Sequence, residues 1–346
     1  MRFGARLGTA TLVMLMSVAG GATPAWAHGT SAVGATNYRT RVLDMSPAVP
    51  GLAVDAVDLG DHLELRNDTG TEITVLGYNG EPYLRVGPDG VFENLRSPAT
   101  YENRSSDPGD TEIPESADPE AEPEWRRTST GTTVRWHDHR AHWTRVDDPE
   151  VVQRDRGSSH VVQDWTVDLQ MGNEDIVVTG DIVWVPPPSP WGWLVASAFL
   201  LGLVALLARR RAWVPVVAVA LAAAIAAQVV LLVAQWQAVT SPAIGNHVYG
   251  LLAIALGTGA LAWLLARRDP YDAAPVVLFA GLLLALGGGL ANLSAFSKSQ
   301  LVSTLSTTLT RWLVVTVLGA GAGIAVAAAL RLRRAIPATA GTPPSR

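Results

Sequence analysis

The stretch WGWLVASAFLLGLVALLARRRAWVPVVAVALAAAIAAQVVLLVAQW, residues 191–236, decides the architecture. It holds two uninterrupted apolar runs on either side of Arg209, Arg210 and Arg211, each near the length a helix needs to cross a hydrocarbon core. Three further runs follow at 248–266, 275–293 and 312–330, so residues 190–334 are expected to form an all-α bundle of five transmembrane helices. The arginines orient it. Arg209 to Arg211, Arg267 and Arg268, and Arg331, Arg333 and Arg334 follow the first, third and fifth runs, whereas the alternate loops hold little beyond Lys298 and Arg311. Because basic loops stay in the cytoplasm, everything before residue 190 is expected outside, with a disordered cytoplasmic tail over 335–346. Trp191, Trp193, Trp236 and Trp312 then fall at the outer interface, and Trp213 and Trp263 at the inner one.

The spans themselves carry little chemistry. No charged or histidine side chain lies deep in a run, which argues against an ion pore, a proton relay or a haem-bearing bundle. Gly257 and Gly259, Gly287 to Gly289, and Gly319, Gly321 and Gly323 suit close helix packing, and Gln228 and Asn292 are expected to bond neighbouring helices.

At the other end, Arg2 and Arg6, the apolar run 7–18 and Ala25-Trp26-Ala27 read as a signal peptide over residues 1–27 that is cleaved to leave His28 first. Residues 28–189 hold 13 arginines against 29 carboxylates, a surface that repels nucleic acid and suits cations. The chain has no cysteine, so disulfides and thiolate metal sites are excluded and any metal must be held by nitrogen and oxygen.

Residues 28–189 read as β. Runs at 52–59, 62–66, 72–78, 132–137, 160–169 and 176–185 are short, β-branched or aromatic, and bounded by turn residues such as Asp68-Thr69-Gly70, Asn79-Gly80 and Pro88-Asp89-Gly90. Half-buried strands must close two faces on one core, so an all-β extracytoplasmic sandwich of the immunoglobulin or cupredoxin kind is expected ahead of the helical bundle. Residues 105–124 hold eight acids and no base and are expected to lie as a loop over the surface. Pro186-Pro187-Pro188 makes a stiff spacer to the first span.

The chemistry concentrates in Trp136-His137-Asp138-His139-Arg140-Ala141-His142-Trp143, three of the chain's seven histidines within six residues. In an extended strand His137 and His139 share a face and Asp138 points away, with His142 placed by whatever turn follows. A terminal His28 adds an α-amine and a ring, and both lose their protons near neutral pH at little cost. Such a nitrogen set favours Cu(II), with zinc as the tetrahedral competitor. The candidate metal ligands are therefore His28, His137, His139 and His142, while His62 and His160 stay unplaced.

A small-x-small cleavage site before His28, a β domain with a downstream His-x-His, and membrane spans resemble the exported copper domain of the particulate methane monooxygenase B subunit. The terminal histidine is also similar to that of CopC-type copper carriers and lytic polysaccharide monooxygenases. This resemblance implies a copper site at His28, His137 and His139. In layout the whole chain resembles actinobacterial membrane proteins with an exported β domain. Three functions stay open: Cu(II) capture, buffering or delivery at the outer face; a metal-free scaffold binding another envelope protein; and a monooxygenase-like copper enzyme, for which Tyr78, Tyr83 and Tyr101 are more simply packing residues.

Overall fold

The computed structural model describes residues 33–105, 111–145, 147–209, 212–267 and 270–335. The expected signal peptide, His28 and tail residues 336–346 lie outside them.

Ten strands are described: β1 (Tyr38–Ser46), β2 (Leu52–Val57), β3 (His62–Asn67), β4 (Ile73–Leu76), β5 (Pro82–Gly87), β6 (Gly90–Asn94), β7 (Trp125–Ser129), β8 (Thr133–Trp136), β9 (His160–Met171) and β10 (Glu174–Trp184). Two short helices, α1 (Ala99–Glu102) and α2 (Glu150–Arg154), interrupt them. The strands form two antiparallel sheets, β1-β10-β9-β4-β5-β6-β7 and β2-β3-β8. Period-2 patterning explains why they face each other. Along β9, Trp165, Val167 and Leu169 are buried while Asp164, Thr166 and Asp168 are exposed, and Ile176 and Val178 of β10 continue the same apolar face. Leu63 and Leu65 of the small sheet meet Ile73, Val75, Val86 and Val167 of the large one in a single core, each large side chain contributing about 1.5–3 kcal/mol by leaving water. The described part of the acidic loop, residues 111–124, contains neither helix nor strand, as its composition requires.

Five long apolar helices follow: α3 (Trp191–Ala208), α4 (Trp213–Gln237), α5 (Val248–Arg267), α6 (Pro270–Leu283), which runs on through a π turn at Leu284–Gly289 to Phe296, and α7 (Thr307–Ala335). α7 is the axis, packing on α3, α4 and α6, and 61% of its apolar window is buried against 17% for α3. Its glycines explain how α3 and α6 come so close. Gly319 and Gly323, one turn apart, approach the α3 carbonyls of Ser197 and Leu201, while Gly321 on the opposite side meets the backbone of Gly281 and Ala285 in α6. A β-carbon on Gly321 would lie 2.8 Å from the Ala285 nitrogen, a backbone atom with nowhere to go. Gly321→Val is therefore expected to destabilise the bundle by about 1–3 kcal/mol, seen as earlier thermal unfolding in detergent; an unshifted midpoint would mean that the crossing is loose.

Asn292 bonds a neighbouring helix as expected, with Gln235 Nε2 of α4 donating to its Oδ1 (2.5 Å), while its Nδ2 donates to the Gly288 carbonyl one turn back in the same helix (2.6 Å); Gln228, expected to do likewise, keeps its Oε1 buried without a hydrogen-bond partner. The β domain sits on the loops at one end of the bundle. Thr36 and Gln300 exchange backbone bonds of 3.1 and 2.9 Å, Ser299 N donates to Asn37 Oδ1 (2.9 Å), and Thr240 N and Oγ1 donate to Asp58 at 2.8 and 2.6 Å. Arg209, Arg267 and Arg331 close α3, α5 and the last turns of α7, and so lie at the opposite end.

Candidate functional site

The histidine segment is not an extended strand, which corrects the alternation argument. β8 ends at Trp136, and His137 to His142 form a turn organised by Asp138. That carboxylate is buried and accepts from Trp136 Nε1 (2.9 Å), Arg140 N (3.0 Å) and the Arg140 guanidinium (2.9 Å), while Ala141 N donates to the Asp138 carbonyl (3.0 Å). Arg140 Nη2 reaches the Leu76 carbonyl (3.2 Å), Thr40 Oγ1 donates to the Ala141 carbonyl (2.7 Å) and Gln163 Nε2 to that of Arg140 (2.8 Å). Three strands of the large sheet, β4, β1 and β9, thus hold the turn.

The turn brings the three predicted rings together. Ring centroids of His137 and His139 are 5.0 Å apart, and those of His137 and His142 5.1 Å. A fourth ring joins them: His62 stands 6.1 Å from His137, because Leu63 of β3 pairs with Trp136 of β8 and the next position along each strand carries a histidine. Sequence alone does not place His62; the signal beside it is the pair Asp58 and Asp61, legible only once the strands are in register. His160 is elsewhere, bonded to the Asp155 carbonyl (2.7 Å), and the His247 ring lies tilted beside Trp236.

Each predicted ring spends one nitrogen on a backbone carbonyl. His137 Nδ1 meets Asp61 O (2.6 Å), His139 Nε2 meets Ser105 O (2.9 Å) and His142 Nδ1 meets Gly60 O (3.3 Å). A carbonyl only accepts, so these nitrogens carry the protons, and His137 Nε2, His139 Nδ1 and His142 Nε2 keep lone pairs. This is how metal-bound imidazoles are oriented in general. His137 Nε2 is buried without a hydrogen-bond partner, which a protein core does not tolerate without cause, whereas His62 Nδ1 is paired with the carboxylates of Asp61 (3.1 Å) and Asp58 (3.3 Å). Among the described residues, however, no three histidine or carboxylate side chains already surround a common point. His28, the fourth candidate ligand, lies outside the described residues.

Two of the anchoring carbonyls, those of Gly60 and Asp61, come from an unusual turn. Asp58, Leu59 and Gly60 are successively left-handed, with φ of 54°, 60° and 89°. Glycine is required at the third: a β-carbon there would lie 2.4 Å from Thr40 Oγ1. The two non-glycine residues each store about 1–2 kcal/mol, strain that persists only where surrounding bonds impose it.

Electrostatics separate the rings. Burial pushes His137 down to about 4, with Asp61 opposing and His142 and His139 adding to the fall. The Asp58 carboxylate beside it raises His62, outweighing burial, and Asp61 adds to the rise. Burial would raise Asp58, but bonding with His62 and Thr240 brings it below the usual carboxylate range. His137 is thus a neutral ring at physiological pH. In the metal-free protein its linkage has a defined sign: between pH 6.5 and about 4 the unfolded chain takes up a proton that the native ring refuses, so stability falls as pH falls through that window. The loss reaches about 3 kcal/mol at the acid end. His62 acts oppositely, stabilising below its unfolded value and losing that contribution as pH rises through its raised native value. Thermal melts between pH 4 and 8 are expected to show the acid-side slope in wild type and not in His137→Phe; equal slopes would remove His137 as its source.

No family model, curated protein or solved structure matches this chain.

Proposed function

We propose that this chain is a multi-pass membrane protein whose extracytoplasmic β domain captures, buffers or hands on Cu(II) through an imidazole site of His137, His139 and His142. His28, freed by removal of the signal peptide, supplies a further amine and ring. The observation that carries this reading is the triplet of rings within about 5 Å, each proton-bearing nitrogen tied to a carbonyl and the other left as a ligand. Neutral nitrogen donors without thiolate favour Cu(II), and a tetrahedral arrangement of the same rings is what zinc would require. The outward placement of the domain follows from the arginines at the far end of the bundle. The residues around the rings do not mark an open coordination position beside a substrate surface, so binding is favoured over catalysis.

The test is copper titration of the full processed chain in detergent, followed by paramagnetic resonance. About one Cu(II) per chain with nitrogen hyperfine structure is expected, displaced by zinc only in excess. Unchanged stoichiometry and spectrum in the His137→Ala/His139→Ala protein would sink this reading in favour of a metal-free scaffold that binds another envelope protein.

A further inference from the structure

One short turn faces the imidazoles on one side and the membrane bundle on the other. Its Gly60 and Asp61 carbonyls hold His142 and His137, and its Asp58 carboxylate lies 3.3 Å from His62 Nδ1. The same carboxylate, 7% exposed, accepts both the backbone N–H and the hydroxyl of Thr240, in the loop that follows α4. Consecutive left-handed residues relax unless something external fixes them. The two bonds from Thr240 do that, and they come from the bundle.

We infer that Asp58 couples the metal site to the bundle: the loop after α4 sets the aim of the carbonyls that orient His137 and His142, and metal held by the rings in turn steadies that loop. This rests on the metal-binding reading above. Coupling of this kind is reciprocal, so loosening Thr240 must weaken metal binding by the factor by which metal binding steadies the loop. The other bonds between domain and bundle provide a control, because Asn37 to Ser299 joins the two parts at a different loop, away from the rings.

The experiment measures Cu(II) affinity by calorimetry, and hydrogen–deuterium exchange of residues 238–243, in the full chain with and without Cu(II). Wild type is compared with Thr240→Val, which removes the hydroxyl at nearly constant shape, and with Asn37→Ala. Copper is expected to slow exchange of the loop in wild type and in Asn37→Ala. Thr240→Val is expected to bind copper about fivefold more weakly and to lose most of the slowing. Wild-type affinity in Thr240→Val, a loop indifferent to bound copper, or equal losses in Asn37→Ala would overturn the coupling while leaving the site intact. Failure of wild type to bind copper at all overturns the metal reading itself, and this inference with it.

Discussion

Asp138→Ala is expected to cost the β domain about 3–5 kcal/mol, the largest single-residue effect in the region. The carboxylate is 1% exposed and receives the Arg140 guanidinium, the Arg140 amide and the Trp136 indole N–H. Its removal leaves a largely enclosed cation without its counter-charge and a buried indole donor without an acceptor, and each is worse than never having had the pair. Arg140 is further committed by the Leu76 carbonyl and by its position over the Tyr78 ring, 4.9 Å from the centroid, so it does not simply swing into water. Asp138→Asn keeps the shape and part of the acceptor set, and should lose less. Tryptophan-detected thermal unfolding checks this, since Trp136 reports directly on the turn. A loss under 1 kcal/mol in Asp138→Ala would mean that the histidine turn is held by β1 and β9 alone.

His137→Ala is expected to lower Cu(II) affinity by at least about a hundredfold, beyond what loss of a residue that merely orients a ligand produces. His137 is central because both other predicted rings pack against it, and its Nε2 is buried without a partner. Copper at a hundred times its dissociation constant should add about 2.7 kcal/mol to wild-type stability, and a hundredfold weaker site keeps only about 0.4 of that. The readout is therefore the copper-induced shift in melting, with His160→Ala, remote from the cluster, as the variant that should retain it. Equal shifts in His137→Ala and wild type would place the copper elsewhere.

Both effects act through a turn that the alternation of residues did not reveal. Six strands of the β domain were legible because their apolar residues alternate or run together between turn signals. β1, β5, β6 and β7 were not. β7 is exposed along almost its whole length, and β5 and β6 are short and bounded by proline and glycine, so what makes them strands is the neighbour they pair with. All five spans were legible, the first three almost to the residue and the last two with ends set too far in, because hydrocarbon demands a length and a composition that nothing else in the chain imitates.

For the site the division falls between chemistry and placement. Composition alone restricts any metal to non-thiolate ligands, since no cysteine exists, and the crowding of His137, His139 and His142 marks the candidate place for them. That these rings meet is decided by Asp138, whose bonds bend the chain into a turn, and by the Leu63–Trp136 register, which adds His62 from a distant part of the chain. The link from that cluster to Thr240 was likewise invisible, because it joins residues 182 positions apart. Periodicity is a local property and survives in the linear order of residues; the direction of a lone pair or a carbonyl depends on contacts made only after distant segments have packed.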